Sequence, residues 1–227
     1  MAEMENSKDL ISVLWSGADI LRSKMDANEY KDYLLGIVFY KYLSDSFLIK
    51  VYDLLFDEKP ENLKVALDAY KEALEDESAE ELKDQLKSEC HYIIEPELTY
   101  TYFAETARNN AFNREQLQKA FNNIEQSDPL FADLFTDIDL YSNRLGTGDQ
   151  KQSDTVSSLI KEIDKADLLN TDADILGNAY EYLIGQFASE TGKKAGEFYT
   201  PQPVSKILTR IAIAGQEDKI GRASCRE

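Results

Sequence analysis

The sequence is poor in the residues that most often carry chemistry on their own. It has one histidine, His91, and two cysteines, Cys90 and Cys225. Two cysteines without a partner pattern make no disulfide framework, and a zinc site needs about four suitably spaced ligands, which His91 and Cys90 alone do not supply. The two are read as a structural or surface pair. No serine-hydrolase or metalloprotease motif occurs. No apolar run reaches the ~20 residues that cross a bilayer, and the opening Met1-Ala2-Glu3-Met4-Glu5 is too acidic for a signal peptide, so the cytoplasm is the expected compartment. Positive charge is scarce as well: 25 Lys and Arg stand against 43 Asp and Glu, for a net charge of −18. A protein that grips phosphates unaided needs a basic face, because counterion release supplies most non-specific affinity. If nucleic acid is involved, something else must bring it.

What is present fits a globular protein. The 227 residues are 43% hydrophobic and 30% charged, long enough for one large domain or two small ones with a real core. No internal repeat or low-complexity linker interrupts them. Ser7 to Lys24 reads as a helix with Leu10, Ile11, Leu14, Trp15, Ala18 and Leu21 on one face, Trp15 serving as a core anchor. Asp26 and Glu29 have capping-box spacing and open a long helix carrying Tyr30, Tyr33, Leu34, Ile37, Val38, Lys41, Tyr42, Phe47, Leu48 and Val51. Its run Leu35-Gly36-Ile37-Val38-Phe39-Tyr40-Lys41-Tyr42-Leu43-Ser44-Asp45 is apolar nearly all round, which predicts a central helix.

Asp57 to Glu89 is acidic and predicts one or two solvated helices, on Leu63, Leu67, Tyr70 and Leu74 and on Leu82 and Leu86. Cys90 to Ile94 reads as a short strand or extended connector ending before Pro96, and alternating Leu98 to Phe103 as a segment that pairs with it. Ala104 to Phe121 returns to helix with a break near Arg108-Asn109-Asn110. Ser127-Asp128-Pro129 has the form of a helix start. Asn143 to Gly148 is a loop, and the loop from Asn143 to Ser153 is the nearest thing to a domain boundary. Thr155 to Leu168 is an amphipathic helix on Val156, Leu159, Ile160 and Ile163. Asp172 or Asp174 caps another, carrying Ile175, Ala179, Tyr180, Leu183, Ile184 and Phe187.

Near the end, Gly196-Glu197-Phe198-Tyr199-Thr200-Pro201-Gln202-Pro203-Val204 sets two aromatics and a hydroxyl before a helix marked by Pro203 and by Val204, Ile207, Leu208 and Ile211. A helix N-terminus favours anionic groups, and aromatic faces hold a planar ring or a cation. The chemistry is that of a small-ligand cradle; an aromatic anchor tying a loop to a core accounts for the same residues.

Gly196-Glu197-Phe198-Tyr199-Thr200-Pro201, preceded by Leu176-Gly177-Asn178-Ala179-Tyr180-Glu181-Tyr182-Leu183, resembles the modification (methylase) subunit of type I restriction-modification systems. The Leu35 to Asp45 run resembles the hallmark of the same family's N-terminal helical domain, and the two matches keep the family's order. The resemblance implies a mainly α chain. A helical N-terminal domain (1–150) would be followed by the first helices (151–219) leading into a Rossmann-like α/β methyltransferase domain, whose sheet, glycine-rich loop and catalytic tetrapeptide would come later.

The same resemblance implies S-adenosylmethionine as cofactor, with Glu197, Phe198, Tyr199, Thr200, Pro201 and Gln202 lining its pocket, and transfer of its methyl group to the exocyclic amine of a flipped adenine in DNA. It implies no metal, and as partners a specificity subunit that reads the DNA, a second methylase subunit and an endonuclease subunit. Tyr180 and Glu181 match the motif but are read as packing beneath the turn. Asp128-Pro129-Leu130-Phe131 mimics the family's catalytic tetrapeptide, yet it has Leu for a proline and lies upstream of the cofactor turn; capping explains it, and no catalytic residue is assigned. Ile220 to Glu227 (IGRASCRE) resembles the translation of a sequencing adapter and is read as an artefactual tail. The 227 residues alone are expected to be inactive. A non-enzymatic helical interaction module and a solitary adenine methyltransferase are the alternatives.

Overall fold

A computed structural model of the chain describes residues 2–167, 177, 200 and 202–214. It separates into two compact units, Met1–Leu183 and Ile184–Glu227. The described part of the first unit holds helices α1 (Ala2–Arg22), α2 (Ala27–Phe56), α3 (Leu63–Ala73), α4 (Ala79–Cys90), α5 (Tyr100–Arg108), α6 (Arg114–Ser127) and α7 (Asp149–Ile163), with 3₁₀ turns at Pro96–Leu98 and Pro129–Phe131. The second unit contributes α8 (Gln202–Ile213). Among the described residues there is no strand, as a mainly α chain requires.

Helix α2 is the axle of the first unit. The Asp26 carboxylate accepts the Glu29 N–H at 3.3 Å, satisfying one donor that the first turn leaves orphaned. The Glu29 side chain pairs with Arg144 rather than reaching back to the cap, so the box works in one direction as a cap and in the other as a tie to a distant loop. Asp57, at φ 56°, ends the helix in the left-handed conformation. Between these caps α2 packs against α1, α3, α4, α5 and α7, which explains why its pattern is apolar on nearly every side. Tyr30, Leu34, Ile37, Tyr40, Phe47, Leu48 and Val51 are buried, while Tyr42 is half-buried.

Buried tyrosines keep their hydroxyls satisfied by donating to backbone carbonyls of other segments, as burial of a polar tip requires. Tyr40 donates to Leu98 at 2.6 Å, Tyr92 to Leu43 at 3.0 Å and Tyr100 to Ile160 at 2.9 Å. These bonds join α2 to the 96–98 turn, the 91–95 connector to α2, and α5 to the last turn of α7. Close approach of α1 depends on Gly17: a Cβ there would lie 2.9 Å from Leu34 and 3.1 Å from Ile163.

Several sequence expectations are corrected. Residues 91–95 form an extended connector, and Leu98 to Phe103 pairs with nothing as a strand: Leu98 closes a 3₁₀ turn and Tyr100 begins α5. Thr99 decides this, accepting the Tyr102 N–H as an N-cap while donating to Pro96 at 2.8 Å. Ser127-Asp128-Pro129 starts only one 3₁₀ turn, with Asp128 accepting the Leu130 N–H at 2.8 Å. Trp15 is half-buried rather than a core anchor, with the Arg22 guanidinium 5.0 Å over its ring. The acidic 57–89 segment forms two helices, and α3 buries Ala66, Leu67 and Tyr70. The break after Arg108 is present, with Asn110 at φ 56°. Helix α7 starts at Asp149, earlier than expected, and buries Val156, Leu159, Ile160 and Ile163. The helix expected after Asp172 or Asp174 lies outside the described residues, apart from helical Gly177.

Candidate functional site

Of the residues expected to line a cofactor pocket, Glu197, Phe198, Tyr199 and Pro201 lie outside the described residues. Thr200 is exposed and non-helical, and Gln202 is the first residue of α8. Pro203 stands in the first turn, where its missing N–H costs no intrahelical bond. Val204, Ile207, Leu208 and Ile211 fall on helical spacing as expected, and all are exposed, by 44 to 68%. An apolar stripe that open on a helix is a face made to be covered. Thr200 thus sits at the mouth of a helix whose first N–H groups have no intrahelical acceptors.

The second motif, Leu35 to Asp45, is described in full and is structural. Gly36 is a bare spot on α2: an added Cβ would fall 2.0 Å from Cδ1 of Ile138, which belongs to the irregular segment 128–148. Further along the helix, Lys41 and Asp45 form a buried ion pair at 2.7 Å, with side chains 3% and 2% exposed. The Lys41 ammonium lies 5.0 Å over the Tyr100 ring, and Ser44 Oγ accepts the Tyr100 N–H at 2.7 Å. Burial raises the Asp45 carboxyl to about 6 against the pull of Lys41. Its Oδ1 is buried with no hydrogen-bond partner. The pair lies within α2, is sealed from solvent, and reaches α5 through the Tyr100 ring.

The remaining candidates are structural too. His91 is exposed, caps the C-terminus of α4 at φ 68°, and places Nδ1 3.7 Å from Asp128. Burial pushes the Cys90 thiol up, away from the reactive thiolate. Among the described residues no group of His, Cys, Asp and Glu could hold a metal. Asp128 is occupied as a cap, Phe131 stacks edge-on against Tyr92 at 5.5 Å, and Leu130 is 77% exposed. The cap expected at Asp128 is present, in a turn with Leu130 at the surface.

Nothing in the sequence singles out Arg114. It is buried, donates to the Leu140 carbonyl at 3.3 Å and to Gln152, pairs with Asp149 at 3.0 Å, and lies 4.2 Å over the Tyr141 ring. Gln152 in turn donates to the Tyr141 carbonyl at 3.0 Å, while Thr155 and Lys24 both donate to Leu145. A lone arginine in a polar stretch carries no signal of this; only its partners, Leu140, Asp149 and Gln152, reveal it.

Comparison with known proteins now decides the family. The family model described as the HsdM N-terminal domain matches residues 10–163. The chain belongs to the type I restriction-modification methylase subunits. A second model, N-6 DNA Methylase, matches residues 171–225. The chain is similar to the type I restriction enzyme MpnII methylase subunit of Mycoplasma pneumoniae, with 31% identity over 91% of this chain and 40% of that protein. It is 29% identical to the MjaVIII methylase subunit of Methanocaldococcus jannaschii, over 96% of this chain and 34% of that one. Among solved structures, the type I restriction-modification system methyltransferase subunit from Streptococcus thermophilus superposes with a TM-score of 0.86 at 52% identity, covering 94% of this chain and 45% of that chain. The chain therefore spans less than half the length of these relatives. No described helix is long and apolar enough to cross a membrane.

Proposed function

We propose that this chain is the N-terminal part of a DNA methyltransferase subunit that moves a methyl group from S-adenosylmethionine to the exocyclic amine of adenine within a type I complex. The observation that carries the reading is the order of the two family matches, residues 10–163 and then 171–225, along one chain. In this reading Glu197, Phe198, Tyr199, Thr200, Pro201 and Gln202 form one wall of the cofactor pocket. The exposed Thr200 hydroxyl and the free N–H groups at the start of α8 are donors of the kind that a carboxylate or a ribose hydroxyl accepts, so the described residues fit such a ligand. The bound cofactor supplies an electrophilic methyl group; the Phe198 and Tyr199 rings offer faces to its adenine or its sulfonium. The open stripe on α8 supports the same view, since Val204, Ile207, Leu208 and Ile211 would be covered by the sheet of a complete methyltransferase domain.

The buried Lys41–Asp45 pair and the tyrosine ties make the first unit a scaffold rather than a reaction centre. With a charge of −18, the chain is suited to a complex in which a specificity subunit grips and reads DNA, accompanied by a second methylase subunit and an endonuclease subunit. Titration calorimetry with S-adenosylmethionine tests the proposal: a protein extended through the whole methyltransferase domain binds, and the 227-residue chain binds at least tenfold more weakly. Equal affinity of the two would refute the split pocket, and no binding by the extended protein would refute the cofactor.

A further inference from the structure

Residues 128–148 contain no regular element beyond the Pro129–Phe131 turn, yet they are tied down along their length. Glu125 accepts the Phe135 N–H at 2.7 Å, Tyr33 donates to the Asp139 carbonyl at 2.6 Å, Arg114 holds Leu140, Gln152 holds Tyr141, and Lys24 and Thr155 hold Leu145. Phe135 stacks on Phe121 at 4.2 Å, and Ile138 fills the bare spot at Gly36. Long irregular segments inside compact domains are uncommon and usually functional. This one displays apolar side chains: Leu130 is 77% exposed and Leu134 37%. The turn bearing Leu130 is held at both ends, by Asp128 beside His91 and by Phe131 against Tyr92. The charge of the segment has one sign. Asp128, Asp133, Asp137 and Asp139 are acidic, and its one basic residue, Arg144, is paired with Glu29.

We propose that this segment is a docking surface for a basic stretch of the DNA-gripping subunit, which would set an apolar side chain against Leu130 and Leu134 and cations beside the aspartates. Charge complementarity selects that occupant. The four aspartates repel DNA and the same patch of a second copy, whereas a subunit that grips DNA must carry the basic surface this one lacks. Apolar side chains among fixed charges are the composition of an interface centre with its polar rim. The ties to Lys24 and to α2, α6 and α7 hold the surface in place before binding, which lowers the entropy lost on association.

This inference rests on the reading of the chain as one subunit of a complex. The complete methylase subunit is titrated with its purified specificity subunit by sedimentation velocity at two salt concentrations. Leu130→Ser with Leu134→Ser, and separately Asp133→Asn, which suits the positive φ of 61° at that position, with Asp137→Lys, are expected to weaken association at least tenfold. The charge variant should also flatten the salt dependence. Unfolding midpoints should stay unchanged, because these side chains are exposed, and the exposed Glu72→Lys on α3 is expected to associate as wild type does. Wild-type association by both surface variants would overturn this inference alone; failure of the wild type to associate would overturn the subunit reading and this inference with it.

Discussion

Replacing Asp45 with asparagine isolates the most expensive polar contact in the first unit. The Lys41 ammonium sits 2.7 Å from Asp45 Oδ2 with 3% of its side chain exposed. An amide of the same shape keeps the volume and removes the countercharge. Breaking one partner of a buried pair costs about 3–5 kcal/mol, a large share of the ~5–15 kcal/mol that holds a domain folded. The reciprocal change, Lys41→Met, is milder, because the carboxyl it strands escapes by taking a proton near neutral pH. The ammonium stranded by Asp45→Asn must instead give up a proton that a lysine holds to much higher pH. Replacing both together, Lys41→Met with Asp45→Leu, should return stability to within about 1–2 kcal/mol of wild type or above it.

Urea unfolding followed by helical circular dichroism at pH 7 measures these effects. A loss under 1 kcal/mol in Asp45→Asn would refute the reasoning.

Three further outcomes follow from the same geometry. Gly36→Val drives a branched side chain into Ile138 and should cost about 1–3 kcal/mol by overpacking; a Gly36→Ala variant should cost less, since better helix propensity returns up to ~1 kcal/mol, and thermal melts distinguish them. Arg114→Met should strip the tie from Leu140 and Gln152, speeding hydrogen exchange across residues 137–145 more than across α3, with a stability loss of about 2–4 kcal/mol. In the complete protein, Phe198→Ala or Tyr199→Ala should weaken S-adenosylmethionine binding about two- to thirtyfold, the ~0.5–2 kcal/mol of an aromatic face on a cation; calorimetric affinities equal to wild type would contradict the cradle.

Much of the first unit was legible because its signals are local. The Asp26 cap, the all-round apolar run of α2 and the stripe of α7 each follow from spacing within one element. What failed did so for want of a partner. Leu98 to Phe103 alternates like a strand, yet Thr99 caps a helix there and Ser44, on α2, takes the orphaned Tyr100 N–H. Gly36 looks like a flaw in a helix until Ile138 arrives from far along the chain. The half-buried Trp15 and the fully buried Tyr40 exchange the roles their size and polarity would assign. The aromatic turn was legible in a different way. Its residue types left a ligand cradle and a core anchor both open, and its motif pointed to the family that the comparisons show; Glu197 to Tyr199 lie outside the described residues, so the cradle is a proposal.

The central claim is that this chain begins an adenine-specific DNA methyltransferase. The direct measurement is mass spectrometry of nucleosides from DNA incubated with S-adenosylmethionine and the complete methylase and specificity subunits. N6-methyladenine at one sequence, absent when the 227-residue chain replaces the complete subunit, is the predicted result; methylcytosine, or no methylated base from an assembled complex that binds the cofactor, would contradict it.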